Sequence, residues 1–265
     1  MKMKYILLCL ITSGFLLNSW GQDVADDKEF LFVGHRGASY LAPENTLASI
    51  QLAWELGADA AECDVMLTRD NKVILFHDNN TKKLTGENHI IKETSWEELK
   101  KLSVKNRETN LPKYKNEPIP LLKEVLEVIP SDRMLVIEIK TGPEILPYLQ
   151  KVLEQHWKTG KISFIAFDFE TIIATKKLYP HLPCYYLSSL KPDLKQHFND
   201  IVENKLDGVD LRYGIIDRSM VEKCNEAGLA VWCWTVNDLE TARKMKELGV
   251  TAVTTDRPAW LKENL

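Results

Sequence analysis

The chain has 265 residues, of which 45% are hydrophobic and 27% charged, and its formal net charge is −4 at pH 7. That length holds one large α/β barrel or two ordinary domains, and the composition is that of a globular protein with enough apolar residues for a sizeable core. No basic run of the kind that binds nucleic acid occurs, which argues against a nucleic-acid partner.

In chain order, the first informative segment is the N-terminus. Lys2 and Lys4 precede an apolar run from Tyr5 to Leu17, followed by Asn18-Ser19-Trp20-Gly21-Gln22. A basic start, a short apolar stretch and a small-x-small exit predict a secretory signal peptide over 1–21, cleaved before Gln22. The apolar run is short for a membrane span, so the alternative of an uncleaved anchor is the weaker one. Cys9 follows Leu7 and Leu8 rather than small residues, against a lipid-modified start. Cleavage lowers Lys+Arg from 34 to 32 and leaves Asp+Glu at 38, a net charge of −6 for residues 22–265. The expected location is periplasmic or secreted. Cys63, Cys184, Cys224 and Cys233 remain; none has paired zinc-site spacing, three full pairings are open, and the residues read best as buried small hydrophobes.

From Phe30 onward, strand-like runs end near Gly34, Val65, Ile139, Phe167, Leu187, Leu211, Trp234 and Thr254. Helical patterns lie between them: Thr46–Leu56, Leu121–Ile129, Glu144–Trp157, Glu170–Leu178, Pro192–Asn204, Asp217–Ala227 and Asp238–Leu248. Alternating β and α with short links predicts a parallel sheet, and eight strands fit a (β/α)8 TIM barrel. The rival open sheet lacks a GxGxxG after the first strand. One further strand, Val73–His77, follows the turn residues Arg69-Asp70-Asn71-Lys72 and reads as an antiparallel hairpin return. Pairing Thr68 with Val73 sets Asp64 opposite His77. Residues 79–120, with Pro112, Pro118 and Pro120, read as a capping insertion between strands two and three.

Catalytic groups of such a barrel sit at the C-terminal ends of its strands. Those ends carry Gly34-His35-Arg36-Gly37, then Glu62 and Asp64, His77-Asp78, and Glu138 and Lys140. Residues two apart share a strand face, so the three acids point into one interior. Their mutual repulsion and desolvation are relieved either by barrel cations such as Lys140 or by a divalent cation, and all-oxygen ligation suits Ca2+ or Mg2+ better than Zn2+. His35 and His77 are candidate general acid and base. Arg36 and Lys140 are candidate phosphate contacts, one a planar fork and the other a point charge. In Pro43-Glu44-Asn45-Thr46, Asn45 or Thr46 caps the first helix, which leaves Glu44 to hold Arg36 or to stand behind the metal. Trp232 and Trp234 share a face, either as core packing or, for Trp234 at the strand end, as an apolar wall for substrate.

With His35-Arg36-Gly37, Pro43-Glu44-Asn45-Thr46, Glu62-x-Asp64, His77-Asp78, Glu138-x-Lys140, Trp234-Thr235-Val236-Asn237 and Thr255-Asp256-Arg257-Pro258 in this order, the chain resembles the glycerophosphodiester phosphodiesterase family from about Leu31 to Pro258. The resemblance implies hydrolysis of small glycerophosphodiesters to glycerol 3-phosphate and an alcohol. It also implies one divalent cation on Glu62, Asp64 and Glu138, His35 and His77 as the acid–base pair, Arg36 and Lys140 on the phosphate, and Trp234 against the glycerol. Water attacks directly, or the glycerol hydroxyl attacks first through a cyclic phosphate; both routes stay open. One position departs from the pattern: Ala166-Phe167 stands where the family often has Ser-Phe, which puts a supporting hydrogen bond in doubt. The nearest rival is a related barrel phospholipase of C or D type acting on phospholipids or lysophospholipids. The mostly polar insertion argues against it. A rival of another class, a binding module on a dead barrel, calls for a lost acid or histidine, and all are present.

Overall fold

A computed structural model describes residues 30–107 and 109–265. The expected signal peptide over 1–21 lies outside the described residues. Among the described residues no helix is long and apolar enough to cross a membrane.

The first half of the chain gives β1 (Leu31–Gly34), α1 (Leu47–Glu55), β2 (Ala60–Leu67) and β3 (Val73–Leu75). Short elements follow: α2 (Lys82–Thr85), α3 (Trp96–Leu99), β4 (Ser103–Val104), β5 (Glu117–Pro118) and α4 (Leu122–Leu126). Then strands and helices alternate as β6 (Met134–Ile139), α5 (Leu146–His156), β7 (Lys161–Ala166), α6 (Phe169–Leu178), β8 (Cys184–Ser188) and α7 (Lys191–Glu203). The chain closes with β9 (Gly208–Arg212), α8 (Arg218–Glu226), β10 (Ala230–Trp234), α9 (Leu239–Leu248), β11 (Ala252–Thr255) and α10 (Pro258–Asn264).

Eight parallel strands, β1, β2 and β6 to β11, form the (β/α)8 barrel. It closes because β1 pairs on both sides, with β2 through Val33 opposite Ala60 and with β11 through Gly34 opposite Thr255. Period-two alternation divides the apolar residues between two cores. Val33, Val136, Ile165, Leu187 and Trp232 fill the interior, while Cys63, Ile137, Phe164, Val209 and Cys233 face the helices. All four described cysteines are buried and free. Helices α6, α8 and α9 begin just past strand ends because Asp168, Asp217 and Asp238 each accept a backbone N–H three residues on, at 2.8, 3.0 and 2.8 Å. α4 is shorter than its apolar pattern, ending before Ile129-Pro130. α10 is an addition, started by Pro258 in its first turn and tied back by Lys262 to Asp59.

The hairpin is antiparallel, but its register differs by one residue from the expectation. Leu67 pairs with Val73 and Val65 with Leu75. The reason is the turn. Asn71 takes a left-handed φ of 59°, which closes a three-residue loop at 69–71 and sets Thr68 opposite Lys72, with Thr68 N–H donating to the Lys72 carbonyl at 3.0 Å. The outer face of the hairpin, with Met66, Ile74 and Phe76, packs under the 79–120 segment, which contributes Leu84, Ile91, Leu99, Leu102, Val104 and Ile119 to a separate small core.

Candidate active site

The site is built on the turn after β1. Gly37 has φ 82°, and a Cβ there would sit 2.3 Å from the backbone carbonyl carbon of Ser49 on α1, so only glycine lets the turn pack this closely. Arg36 is itself left-handed at φ 52°, a strained conformation for a residue other than glycine. It aims the Arg36 backbone N–H at Glu62 Oε2, 2.7 Å away. The Arg36 side chain meets Glu44 Oε1 through Nη1 at 2.6 Å and lies 3.2 Å through Nε from Asp64 Oδ2. Of the two roles open to Glu44 in the sequence, the structure therefore gives it the holding of Arg36. Arg107, from the capping segment, contacts the other oxygen of the same carboxylate.

Strand parity turns the acids inward. On β2, Cys63 faces the helices, so Glu62 and Asp64 face the interior; on β6, Val136 is interior and Glu138 follows two residues later. Asp64 stands beside Glu138 in the parallel register. Oxygens of Glu62, Asp64 and Glu138 lie within 4.8 Å of one another. Asn45 braces this group: its Nδ2 donates to Asp64 Oδ2 at 2.7 Å and its Oδ1 accepts the Asp64 backbone N–H at 3.0 Å. Thr46 caps α1, which frees Asn45 for that task. Lys140 Nζ donates to Glu138 Oε1 at 2.8 Å and lies 3.7 Å from Asp64 Oδ1.

The electrostatics are those of a site short of positive charge. Burial, then Asp64 and Glu138, push the Glu62 carboxyl well above its usual range, and burial with Asp64 pushes Glu138 up to about 7. Burial would raise Asp64 too, but Arg36, Lys140, His77 and Asn45 outweigh it and hold Asp64 ionised. Glu62 Oε1 and Asp64 Oδ1 are buried without a hydrogen-bond partner. Two orphaned acceptors among three converging carboxyls fit a hard cation with oxygen ligands.

Both histidines reach this mouth. His77 does so by a route strand alternation does not supply: Phe76 N–H makes the last ladder bond, to Asp64 O at 3.0 Å, and the chain then bends at 77–79. His77 Nδ1 lies 2.7 Å from Asp78, and His35 Nδ1 lies 2.7 Å from Asp256. Burial chiefly, with Arg36 and Lys140 beyond the opposing pull of Asp64, holds the His77 imidazole below its usual value and hence neutral near pH 7. Asp256 is kept far down the carboxylate range, the bonds from His35, Asn237 and Ser39 outweighing its burial. An ionised partner at Nδ1 takes the N–H there and leaves Nε2 as the proton-exchanging atom.

His35, His77, Glu62, Glu138, Phe167 and Trp234 line a cavity of about 80 Å3. Trp234 and Phe167 form one wall, edge to face at 5.5 Å, while Trp232 stays in the core stacked on Tyr185 at 4.0 Å. A larger groove of about 620 Å3 between the hairpin loop and α5 lies outside the barrel and shares no lining residue with this mouth. Asn45, Arg107 and Asp210 also belong to the mouth and were not anticipated as site residues. For Asn45 the one local signal was a residue tolerant of left-handed backbone, φ 55°, just before a helix cap.

Carboxyls, cations and paired histidines at the C-terminal mouth of a (β/α)8 barrel define a hydrolase site for an anionic substrate. Residues 35–260 match the Glycerophosphoryl diester phosphodiesterase family, and the chain belongs to it. A glycerophosphodiester phosphodiesterase of Caldanaerobacter subterraneus is 32% identical over 87% of this chain and 96% of its own. Human lysophospholipase D GDPD1 is 25% identical over 88% of this chain and 85% of its own. The structure of an Oleispira antarctica phosphodiesterase in complex with the product sn-glycerol-3-phosphate superposes with a TM-score of 0.80, at 31% identity, covering 87% of this chain and 94% of that one.

Proposed function

We propose that the protein hydrolyses small glycerophosphodiesters to sn-glycerol 3-phosphate and an alcohol, with Glu62, Asp64 and Glu138 holding one divalent cation, Ca2+ or Mg2+. The observation that carries this reading is the pair of orphaned oxygens on Glu62 and Asp64, set in one mouth with two aspartate-oriented imidazoles. When bound, such an ion neutralises the diester and favours charge build-up at phosphorus. Arg36 and Lys140 are placed to meet the remaining phosphate oxygens. One imidazole Nε2 takes a proton from the attacking oxygen, and the other returns one to the departing alkoxide. Trp234 and Phe167 give the glycerol an apolar wall. The product complex of the Oleispira relative supports the same substrate class.

The test is release of glycerol 3-phosphate from glycerophosphodiesters of choline, ethanolamine and glycerol, before and after chelation and with Ca2+ or Mg2+ added back. A lysophospholipid belongs in the same series, because the human relative is a lysophospholipase D. Preference for the lysophospholipid, or full activity after chelation, overturns the reading. Export is part of the proposal on the strength of the Lys2 to Gln22 pattern, and mass spectrometry of the native protein should give a mature N-terminus at Gln22. A start at Met1 or a cytoplasmic pool overturns that part.

A further inference from the structure

Asp210 is a fourth carboxyl in the barrel interior, and the metal cluster does not account for it. Its neighbours on β9, Val209 and Leu211, face the helices, so Asp210 faces inward. It is 1% exposed, and its Oδ1 is buried with no hydrogen-bond partner. It lines the same cavity as His35, Glu62, Glu138 and Trp234, yet it is not among the acids whose oxygens converge within 4.8 Å. Trp234, the wall opposite the acids, is anchored to the same residue, its indole N–H donating to the Asp210 carbonyl at 3.2 Å.

A buried acceptor left without a donor destabilises the fold, so its presence in the cavity calls for a ligand that meets it. The surroundings say which kind. Ile165, Leu187, Phe167 and Trp234 offer apolar faces to carbon, and among them Asp210 presents one carboxyl, which can accept from two adjacent hydroxyls. A short polyol has this pattern of CH edges and neighbouring O–H groups. An acyl group on either hydroxyl would remove one of those O–H donors. We propose that Asp210 reads the free hydroxyls of the substrate's glycerol, and so sets a preference for deacylated glycerophosphodiesters over diesters whose backbone is acylated or lacks hydroxyls. The assignment rests on the glycerophosphodiesterase reading, and it adds a specificity-determining residue to that site.

The test is binding, measured by calorimetry with Mg2+ or Ca2+ present, of sn-glycerol 3-phosphate, propyl phosphate and phosphocholine. The wild-type protein should prefer glycerol phosphate to propyl phosphate by on the order of 10-fold, the worth of one or two hydrogen bonds to a buried carboxyl. Asp210→Leu and Asp210→Ala should bring the two to within about threefold while leaving propyl phosphate affinity unchanged and Tm no lower than wild type, and Asp210→Asn, which keeps a hydrogen-bonding head, should retain the preference. If leucine overfills the site and the variant does not fold, the alanine variant carries the test. Persistence of the preference in Asp210→Ala overturns the proposal. So does parallel weakening of both ligands, which would make Asp210 part of phosphate or metal binding, and so does a loss confined to phosphocholine, which would make it an ammonium site. A wild-type protein with the preference but no diesterase activity refutes the proposed function and leaves this assignment standing. Diesterase activity without the preference does the reverse.

Discussion

Replacing Asn45 tests how the acid cluster is held. Asn45→Ala removes two bonds at once, the 2.7 Å donation to Asp64 Oδ2 and the 3.0 Å acceptance of the Asp64 backbone N–H. The first is a bond to a charged group, worth about 1.5–3 kcal/mol, and the second about 1 kcal/mol. Alanine also takes over a left-handed backbone, φ 55°, at a further cost of about 1–2 kcal/mol that glycine does not incur. The expected destabilisation is therefore about 4 kcal/mol for Asn45→Ala and 1–2 kcal/mol less for Asn45→Gly. Urea unfolding of both variants separates the backbone part from the side-chain part, provided the m values match the parent. Divalent-ion affinity should fall roughly 10–100-fold in both, because Asp64 loses the group that orients it. Should Asn45→Gly lie within about 0.5 kcal/mol of wild type and bind metal normally, Asn45 is a turn residue alone and the bracing argument is wrong.

Three further outcomes are expected. Glu62→Gln or Glu138→Gln should keep the fold and lose most of the activity together with ion binding, since carboxylate charge is what a hard cation requires; undiminished ion affinity by calorimetry in either variant counts against the assignment. His77→Ala should lower turnover by roughly 10²–10⁴ with metal affinity near normal, and a matching loss of metal would place His77 among the ligands instead. The third concerns pH. Glu138 titrates at about 7 in the folded protein, so without metal the folded state holds a proton that the unfolded chain gives up near 4.3. Stability of the metal-free protein should therefore be highest below about 4.3, as far as this group goes, and decline by on the order of 3 kcal/mol as pH rises to about 7. Metal should abolish that decline and release more protons on binding at pH 6 than at pH 8.5, as read from calorimetry in buffers of different ionisation enthalpy; a pH-independent proton count refutes it.

The barrel was legible because strand length, inward parity and the acid positions are all written in a period of two. Glu62, Asp64 and Glu138 needed no more than that. What local patterns do not encode is the partner brought in from afar. His35 finds Asp256 at a separation of 221 residues through the pairing of the first and last strands, and Asp64 finds Asn45 at 19 through the packing of β1, α1 and β2. The hairpin register was missed through one backbone angle, the left-handed Asn71, which shortened the loop by a residue. His77 nevertheless arrives at the mouth, because the ladder ends before it and a bend, not alternation, sets its direction. Asp210 passed unremarked since an Asp between Val209 and Leu211 looks no different from a strand residue facing solvent.

The shared carboxylate of Glu44 has a consequence for redesign. One oxygen holds Arg36 and the other meets Arg107, so a cation of the barrel and a cation of the capping segment compete for the same counter-charge. The cap shares its small core with the outer face of the hairpin, Met66, Ile74 and Phe76, so in a graft the cassette would have to carry that face with it. A cassette without a cation at position 107 would leave Glu44 entirely to Arg36, binding the guanidinium more firmly and drawing it back from the phosphate contact proposed for it. Swapped caps would then retune catalysis at long range, without any change to a residue lining the cavity.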